Sequence, residues 1–319
     1  MAKPLTVVPS PSPWQTWVGE YLDEKRAGGV SRHTIGIYGY ALQDVLLPYC
    51  EAHNVSGPAD LNAAHLNALV SGLLDGTGSR SGRPLAKQSV DTYARTINGF
   101  LGWLGKRGEA PSARAQRPRL PRRVLEVLSR EEITRLEDAA QNERDKLIIR
   151  VLADTGLRLG ELLGLVPDDI RQEAGRRWYL KVKGKGDRER MVPIAPGLAG
   201  RLDRYVKRTR RPSVYPNLFL GTRRGRGTME YEPLTKSGAE QLIRDLGLDV
   251  LSRRVYPHLF RHSFITWCAQ RGMRETDVAK IVGHSGLRMI HEVYEHLTVS
   301  DTHDALMGAL LSEHRRQLF

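Results

Sequence analysis

Residues 257–266 read PHLFRHSFIT, placing His258, Arg261 and His262 within five positions among apolar neighbours. Read as a helix, the stretch carries these three groups at i, i+3 and i+4, on one face. Polar, potentially cationic side chains on a packed helix need an anion, a metal or a set of acceptors to satisfy them. Which of these is meant has to come from the rest of the chain.

The chain has 319 residues, room for two ordinary domains, each with its own core. A hydrophobic content of 40% and a charged content of 27% are those of a soluble globular protein. No apolar run is long enough for a membrane span, and MAKPLTVVPSPSP does not have the pattern of a signal peptide, so a cytoplasmic location is expected. Cys50 and Cys268 are far apart and neither lies in a CxxC pair, which argues against disulfide and cysteine–zinc frameworks.

The net charge is +13, which points to a polyanionic partner, nucleic acid first. That charge is uneven. Residues 1–110 carry +1, residues 111–130 carry +5 and residues 131–319 carry +7. The middle stretch contains PSARAQRPRLPRR, rich in Pro and Arg with little to bury, and reads as an extended linker able to lie along phosphates.

Before the linker the pattern is helical. Trp14, Trp17, Val18 and Tyr21 recur at helical spacing, and Ser31 caps a segment presenting Ile35, Tyr38, Leu42, Val45 and Leu46. DLNAAHLNALVSGLLDG follows, with Asp60 as its cap and Gly76 as its stop, and a fourth helix ends near Gly105. After the linker, Ser129 and Glu132 form a capping box. A strongly apolar helix then breaks around Thr155–Gly156 and restarts. RRWYLKVKGKGDRERMVPI reads as a β-hairpin with Gly184 and Gly186 at its bend. Helices occupy most of the remainder, ending with DTHDALMGALLSEHRR, and GTRRGRGT reads as a basic surface turn and not a nucleotide-binding loop.

The chemistry-bearing residues are mainly basic: Arg158 at a helix break, Lys185 at the hairpin tip, His258 and Arg261 in the opening stretch, and His284 in VGHS. Tyr294 follows in HEVYEH. His258 and His262 have metal-ligand spacing, but the next acids, Glu275 and Asp277, are over a dozen positions on, so no metal centre is expected. Arginines at helix termini suit a bidentate grip on a phosphodiester, and a lysine on a hairpin tip can reach a leaving oxygen. Ionising a free phenol near neutrality costs ~4 kcal/mol, which surrounding cations can offset. The set is therefore suited to attack by tyrosine on phosphorus. Each member also has an ordinary reading. Arg158 can simply pair with Glu161, Lys185 can be a solvated turn lysine, His284 a helix-end residue and Tyr294 a half-buried aromatic. Taken together, in a chain this basic, the ordinary readings are hard to sustain.

Arg158 in TGLRLGEL, Lys185 in GKGDRERMVP, His258 and Arg261 in HLFRHSFIT, and His284 and Tyr294 in the stretch from VGHS to VYEH resemble, in that order, the tyrosine recombinase/phage integrase family, including its Xer-type members. The resemblance covers nearly all of residues 129–300. It implies a mainly α protein: a helical, SAM-like core-binding DNA-binding domain over 1–109, a basic linker over 110–126, and a mostly helical catalytic domain with a small antiparallel sheet and a C-terminal helix over 127–319. By the same resemblance, Arg158 and Arg261 bind the scissile phosphate and Lys185 protonates the departing 5′-hydroxyl. His258 assists proton transfer, His284 hydrogen-bonds the phosphate, and Tyr294 forms the 3′-phosphotyrosyl link. His262 matches the family's Arg-His pair and is taken as structural.

The implied partner is double-stranded DNA, bound by a homotetramer on two sites, a dimer per site, with the C-terminal helix docking in trans or packing on its own domain. No cofactor, metal or membrane is implied, and the location is cytoplasmic and nucleoid-associated. Departures are Gly160, Phe260 and Val282, where relatives usually have Ser, Leu and Leu. Ten positions separate His284 from Tyr294, against nine in typical Xer-like members, which favours a mobile-element integrase over a chromosome or plasmid dimer resolvase. The N-terminal part has no room for a further arm-site domain, so a simple two-domain recombinase is expected. The rival readings are a type IB topoisomerase and a non-catalytic DNA-binding regulator that retains the fold.

Overall fold

Trp14, Val18 and Tyr21, at helical spacing, are all buried, and they anchor the first of two units into which the chain divides, Met1–Arg123 and Val124–Phe319. The computed structural model describes residues 13–109, 113–120, 126–184, 188–225, 227, 229–283 and 290–291.

In the first unit, α1 (Pro13–Ala27) is followed by α2 (Arg32–Gly39), which runs through a π-turn at Tyr40–Leu46 into α3 (Leu47–Ala52); α4 (Ala63–Asp75) and α5 (Lys87–Gly105) complete the set. Ser31 caps α2 as expected, its hydroxyl accepting the Thr34 N–H at 3.2 Å. Asp60 does not cap α4. Its carboxylate instead accepts the Gly57 N–H at 3.1 Å, across a short 3₁₀ turn, and Asn62 caps α4 by accepting the His65 N–H at 3.0 Å. Gly76 stops α4 in the left-handed region. The aromatic core has the Tyr21 ring 5.3 Å from Phe100 and 5.5 Å from Trp103.

Part of the stretch read as a linker is tied to this unit. Asn98 receives the Ala115 N–H at 2.8 Å and donates to the Ala115 carbonyl at 2.9 Å, so its amide acts as a one-residue strand partner. Arg117 donates to Asp91, a buried carboxylate also paired with Arg95.

The second unit contains α6 (Arg130–Ala139), α7 (Glu143–Thr155), α8 (Leu159–Leu163), β1 (Ile170–Glu173), β2 (Arg177–Lys183), β3 (Glu189–Ile194) and α9 (Pro196–Arg204). After α9, a π-turn at Tyr205–Thr209 leads to β4 (Leu220–Arg224), β5 (Tyr231–Pro233), α10 (Lys236–Leu251), α11 (Pro257–Gln270) and α12 (Glu275–Val282). The Ser129–Glu132 capping box is present. Helix α7 is the central element: Leu147, Ile148, Ile149, Val151 and Leu152 are buried all round it, in one core with Leu180 of β2, Val192 of β3 and Phe260 of α11. A helix apolar on every side is one covered on every side.

The sheet content exceeds the single hairpin read from sequence. β1, β2 and β3 form an antiparallel sheet in that order, and β4 pairs with β5 in a second one. β1 has only four residues, three of them exposed, so an edge strand of this kind shows no alternation. The GTRRGRGT stretch is likewise not only a turn, since Gly221–Arg224 belong to β4. At the β2–β3 bend the Gly184 N–H donates to the Arg188 carbonyl at 2.8 Å; Lys185 and Gly186 lie outside the described residues, as does the C-terminal helix of the sequence reading. Among the described residues no helix is long and apolar enough to cross a membrane.

Candidate active site

Gly156 ends α7 at a φ of +62°, and the chain leaves this left-handed turn to reach Arg158, the N-cap residue of α8. The turn is enforced from α11: Arg261 donates to the Gly156 carbonyl at 2.7 Å and to the Val282 carbonyl, at the end of α12, at 2.8 Å. One guanidinium therefore holds the segment before Arg158 and the segment before Gly283 and His284. At 1% exposure, Arg261 is the largest fully buried side chain of the described structure.

Its partners in hydrogen bonding are neutral carbonyls. Burial first, and then the nearby charge of Arg158, depress its pKa to about 9, with Glu161 pulling the other way. The group still carries its charge at neutral pH. A buried cation whose hydrogen bonds among the described residues go to neutral carbonyls, with a second arginine close by, is chemically suited to an anion.

Arg158 is half-exposed. Its guanidinium donates to Glu161 Oε1 at 3.0 Å and its backbone N–H to Oε2 at 2.9 Å, so the ordinary pairing foreseen from sequence exists. It does not exhaust Glu161, which also takes a forked contact from Arg190 of β3 at 3.1 and 2.9 Å. Arg190 is fixed in turn by donating to the Ile281 carbonyl at 2.7 Å. Burial pushes the Glu161 carboxyl up, but the Arg190 hydrogen bond, the Arg158 N–H and both guanidinium charges outweigh it, and its pKa lies below the ordinary value. Three arginines thus surround one carboxylate, leaving the cluster net positive.

His258 lies on the same face of α11. Burial, then the charges of Arg261, Arg158 and Lys236, lower its pKa, so the neutral imidazole is the resting form. His262 is lowered too, by burial, His258 and Arg261, and its buried Nδ1 has no hydrogen-bond partner among the described residues. Arg158, Glu161 and His258 line a cleft of about 630 Å³ together with Lys183, Gly184, Lys236, Glu240, Arg244, Arg254 and Tyr256.

The structure therefore brings together Arg158, His258 and Arg261. Lys185, His284 and Tyr294 lie outside the described residues, although Gly184, the neighbour of Lys185 in sequence, lines the cleft. Sequence reasoning missed Arg190 and the flank Lys236, Arg244 and Arg254. For Arg190 a signal existed. In β3, Arg190, Val192 and Ile194 alternate on the inward side, and an arginine at an inward strand position needs a buried partner.

Burial pushes the phenols of Tyr21 and Tyr205 up to about 12.

Residues 126–301, more than half of the chain, match the phage integrase family. The chain belongs to that family. It is a tyrosine recombinase, an enzyme that transfers DNA strands. Tyrosine recombinase XerA of Pyrococcus horikoshii is 29% identical over 227 residues, spanning 71% of this recombinase and 75% of the relative. Tyrosine recombinase XerD of Staphylococcus haemolyticus is 28% identical over 301 residues, spanning 89% and 95%. The crystal structure of XerH site-specific recombinase bound to palindromic difH substrate, a post-cleavage complex, shares the fold with a TM-score of 0.71 at 18% identity, over 96% of this recombinase and 99% of that chain. The motif order read from Arg158 to Tyr294 thus identified the family, and the mainly helical fold with small antiparallel sheets agrees with it.

Proposed function

We propose that this site-specific recombinase cuts and rejoins duplex DNA through a covalent bond to Tyr294, at the cleft lined by Arg158 and His258. The observation that carries the reading is the buried cation of Arg261, hydrogen-bonded among the described residues only to the Gly156 and Val282 carbonyls, beside Arg158. A phosphodiester supplies the missing anion, with Arg158 reaching its non-bridging oxygens from the cleft wall and Arg261 lending charge from below.

The Tyr294 phenolic oxygen attacks phosphorus, forming a 3′-phosphotyrosyl bond as the bond to the 5′-oxygen breaks. The phenol's proton passes to His258, which rests neutral and so has a nitrogen lone pair free to accept it. Lys185 delivers a proton to the departing 5′-oxygen, and His284 donates a hydrogen bond to the phosphate. One phosphoester replaces another, so the reverse attack by a 5′-hydroxyl of a second strand reseals the DNA without an external energy source. Double-stranded DNA is the partner, engaged by residues 1–109, the basic segment 110–126 and the catalytic domain 127–319. Four protomers assemble on two sites, a dimer on each, with the C-terminal helix reaching a neighbour. The protein acts in the cytoplasm, on the nucleoid.

Two settings fit this chemistry. The Xer relatives favour resolution of chromosome or plasmid dimers, and the ten-position interval between His284 and Tyr294 favours integration and excision of a mobile element.

Replacing Arg158 by Ala tests the site directly. Covalent adduct formation with a nicked duplex should be abolished while binding of the same DNA changes less than about tenfold. Equal loss of binding and cleavage would contradict the role given to Arg158.

A further inference from the structure

A basic surface outside the cleft lies where the segment after α9 meets the β4–β5 hairpin, and among the described residues its arginines form no ion pairs with carboxylates. Arg208, Arg211, Arg223 and Arg224 are all exposed, and among the described residues none of them forms an ion pair. Two of them converge on one ring. The Arg211 guanidinium stands 5.1 Å from the centroid of Tyr231 and donates to its hydroxyl at 3.2 Å, and the Arg224 guanidinium stands 5.7 Å from the same centroid. The ring face attracts cations, but two like charges held beside one tyrosine remain short of a counter-charge.

The surroundings fix this arrangement without neutralising it. Arg210 is consumed by the loop itself, donating to the carbonyls of Tyr215 at 2.7 Å and Asn217 at 2.9 Å, which holds the backbone that presents Arg211. Glu230, the nearest acid in sequence to Tyr231 on the hairpin's turn side, accepts the Val214 N–H at 3.2 Å. The strand pairing slips between Leu220 and Arg224, an irregularity that re-aims side chains along β4. Val214 and Met229 are 76% and 74% exposed, apolar surface at the edge of the same patch.

The hairpin is continuous with the cleft. The Leu234 N–H donates to the Phe219 carbonyl at 3.0 Å, Thr235 caps α10, and Lys236, the next residue, lines the cleft. We infer that Arg211 and Arg224, clamped on Tyr231, form a second phosphate-binding surface that grips the backbone of the duplex outside the cleft. The inference rests on the recombinase reading of the cleft. Phosphates fit better than base edges because the patch offers arginines on an exposed, irregular hairpin, and Glu230, the carboxylate hydrogen-bonded there, is engaged by the Val214 N–H.

The test uses the full chain with Arg211→Gln and Arg224→Gln combined, two exposed changes that leave the core untouched. Affinity for duplex DNA is measured from low to moderate salt, alongside adduct formation on a saturating nicked duplex. Losing two phosphate contacts should lower the slope of log K against log salt by about 1.8 and weaken binding on the order of tenfold or more near 0.1 M salt. Adduct formation at saturation should stay at the wild-type rate. An unchanged slope overturns the inference, including the case where affinity falls without it, as expected for a protein-binding patch or a merely structural pair. Failure of the parent reading looks different: the wild-type protein itself would form no adduct.

Discussion

Arg261 donates to the carbonyl of Gly156 at 2.7 Å, and this contact ties the helix that carries His258 to the turn that presents Arg158. The same guanidinium reaches Val282 at 2.8 Å. One buried, charged side chain thus braces the backbone on either side of the site.

Arg261→Lys should therefore fail in two ways. An ammonium keeps the charge but cannot fork to two carbonyls on different segments, so at least one buried acceptor is orphaned, at a cost of about 1–3 kcal/mol. Urea denaturation should show that loss, and adduct formation should be absent at a protein concentration that saturates the DNA. Wild-type stability in this variant would contradict the bracing role.

Gly283 packs against the guanidinium of Arg190. It has a φ of +67°, and a Cβ there would come within 2.7 Å of Arg190 Nη1, which donates to Glu161 at 3.1 Å, on a guanidinium whose Nε is held by the Ile281 carbonyl. Gly283→Ala should cost about 1–3 kcal/mol and displace Arg190 from Glu161. The loss should be non-additive with Arg190→Ala in a double-mutant cycle, because the second change removes the clash. Additive losses would show that the two residues do not interact as described.

Both imidazoles on α11 have pKa values below 6.5. As pH falls, the unfolded chain takes up these protons first. The stability contributed by the neutral rings is complete above about pH 6.5 and is lost as pH drops towards the folded values. The urea midpoint of the free protein should fall between about pH 7 and about pH 5.5, and less so in His258→Gln. The rate of adduct formation on saturating DNA should decline over the same interval in the wild type and flatten in that variant. A pH profile identical in the two proteins would remove His258 from proton transfer.

Much of this architecture is written locally. Ser129 with Glu132, Ser31, and Gly76 mark helix ends because a cap is a contact within four residues, and the order from Arg158 to Tyr294 carries the family. The misses are of another kind. Asp60 and Asn62 both have capping side chains, and only the backbone path decides which of them faces the first turn of α4. β1 exists because β2 offers it a partner, not because IRQE favours a strand. Within the site, the sequence reading paired Arg158 with Glu161 alone. Arg190, 29 positions further along, shows in the sequence only as a charge at an inward strand position, and its pairing with Glu161 comes from the folding of β3 beside α8. The strap at Ala115 is similar: nothing in PSARAQRPRL announces the amide of Asn98 that holds it.

The central claim is that Tyr294 is the nucleophile, and a duplex nicked a few nucleotides from the cleavage point tests it most directly, because the released fragment diffuses away and the adduct is trapped. Tyr256, a tyrosine that lines the cleft, is the necessary control. The wild type and Tyr256→Phe should both become covalently attached to the DNA, and Tyr294→Phe should bind it without attachment. An adduct that survives Tyr294→Phe, or a wild-type protein that binds its site and never becomes attached, would contradict the account.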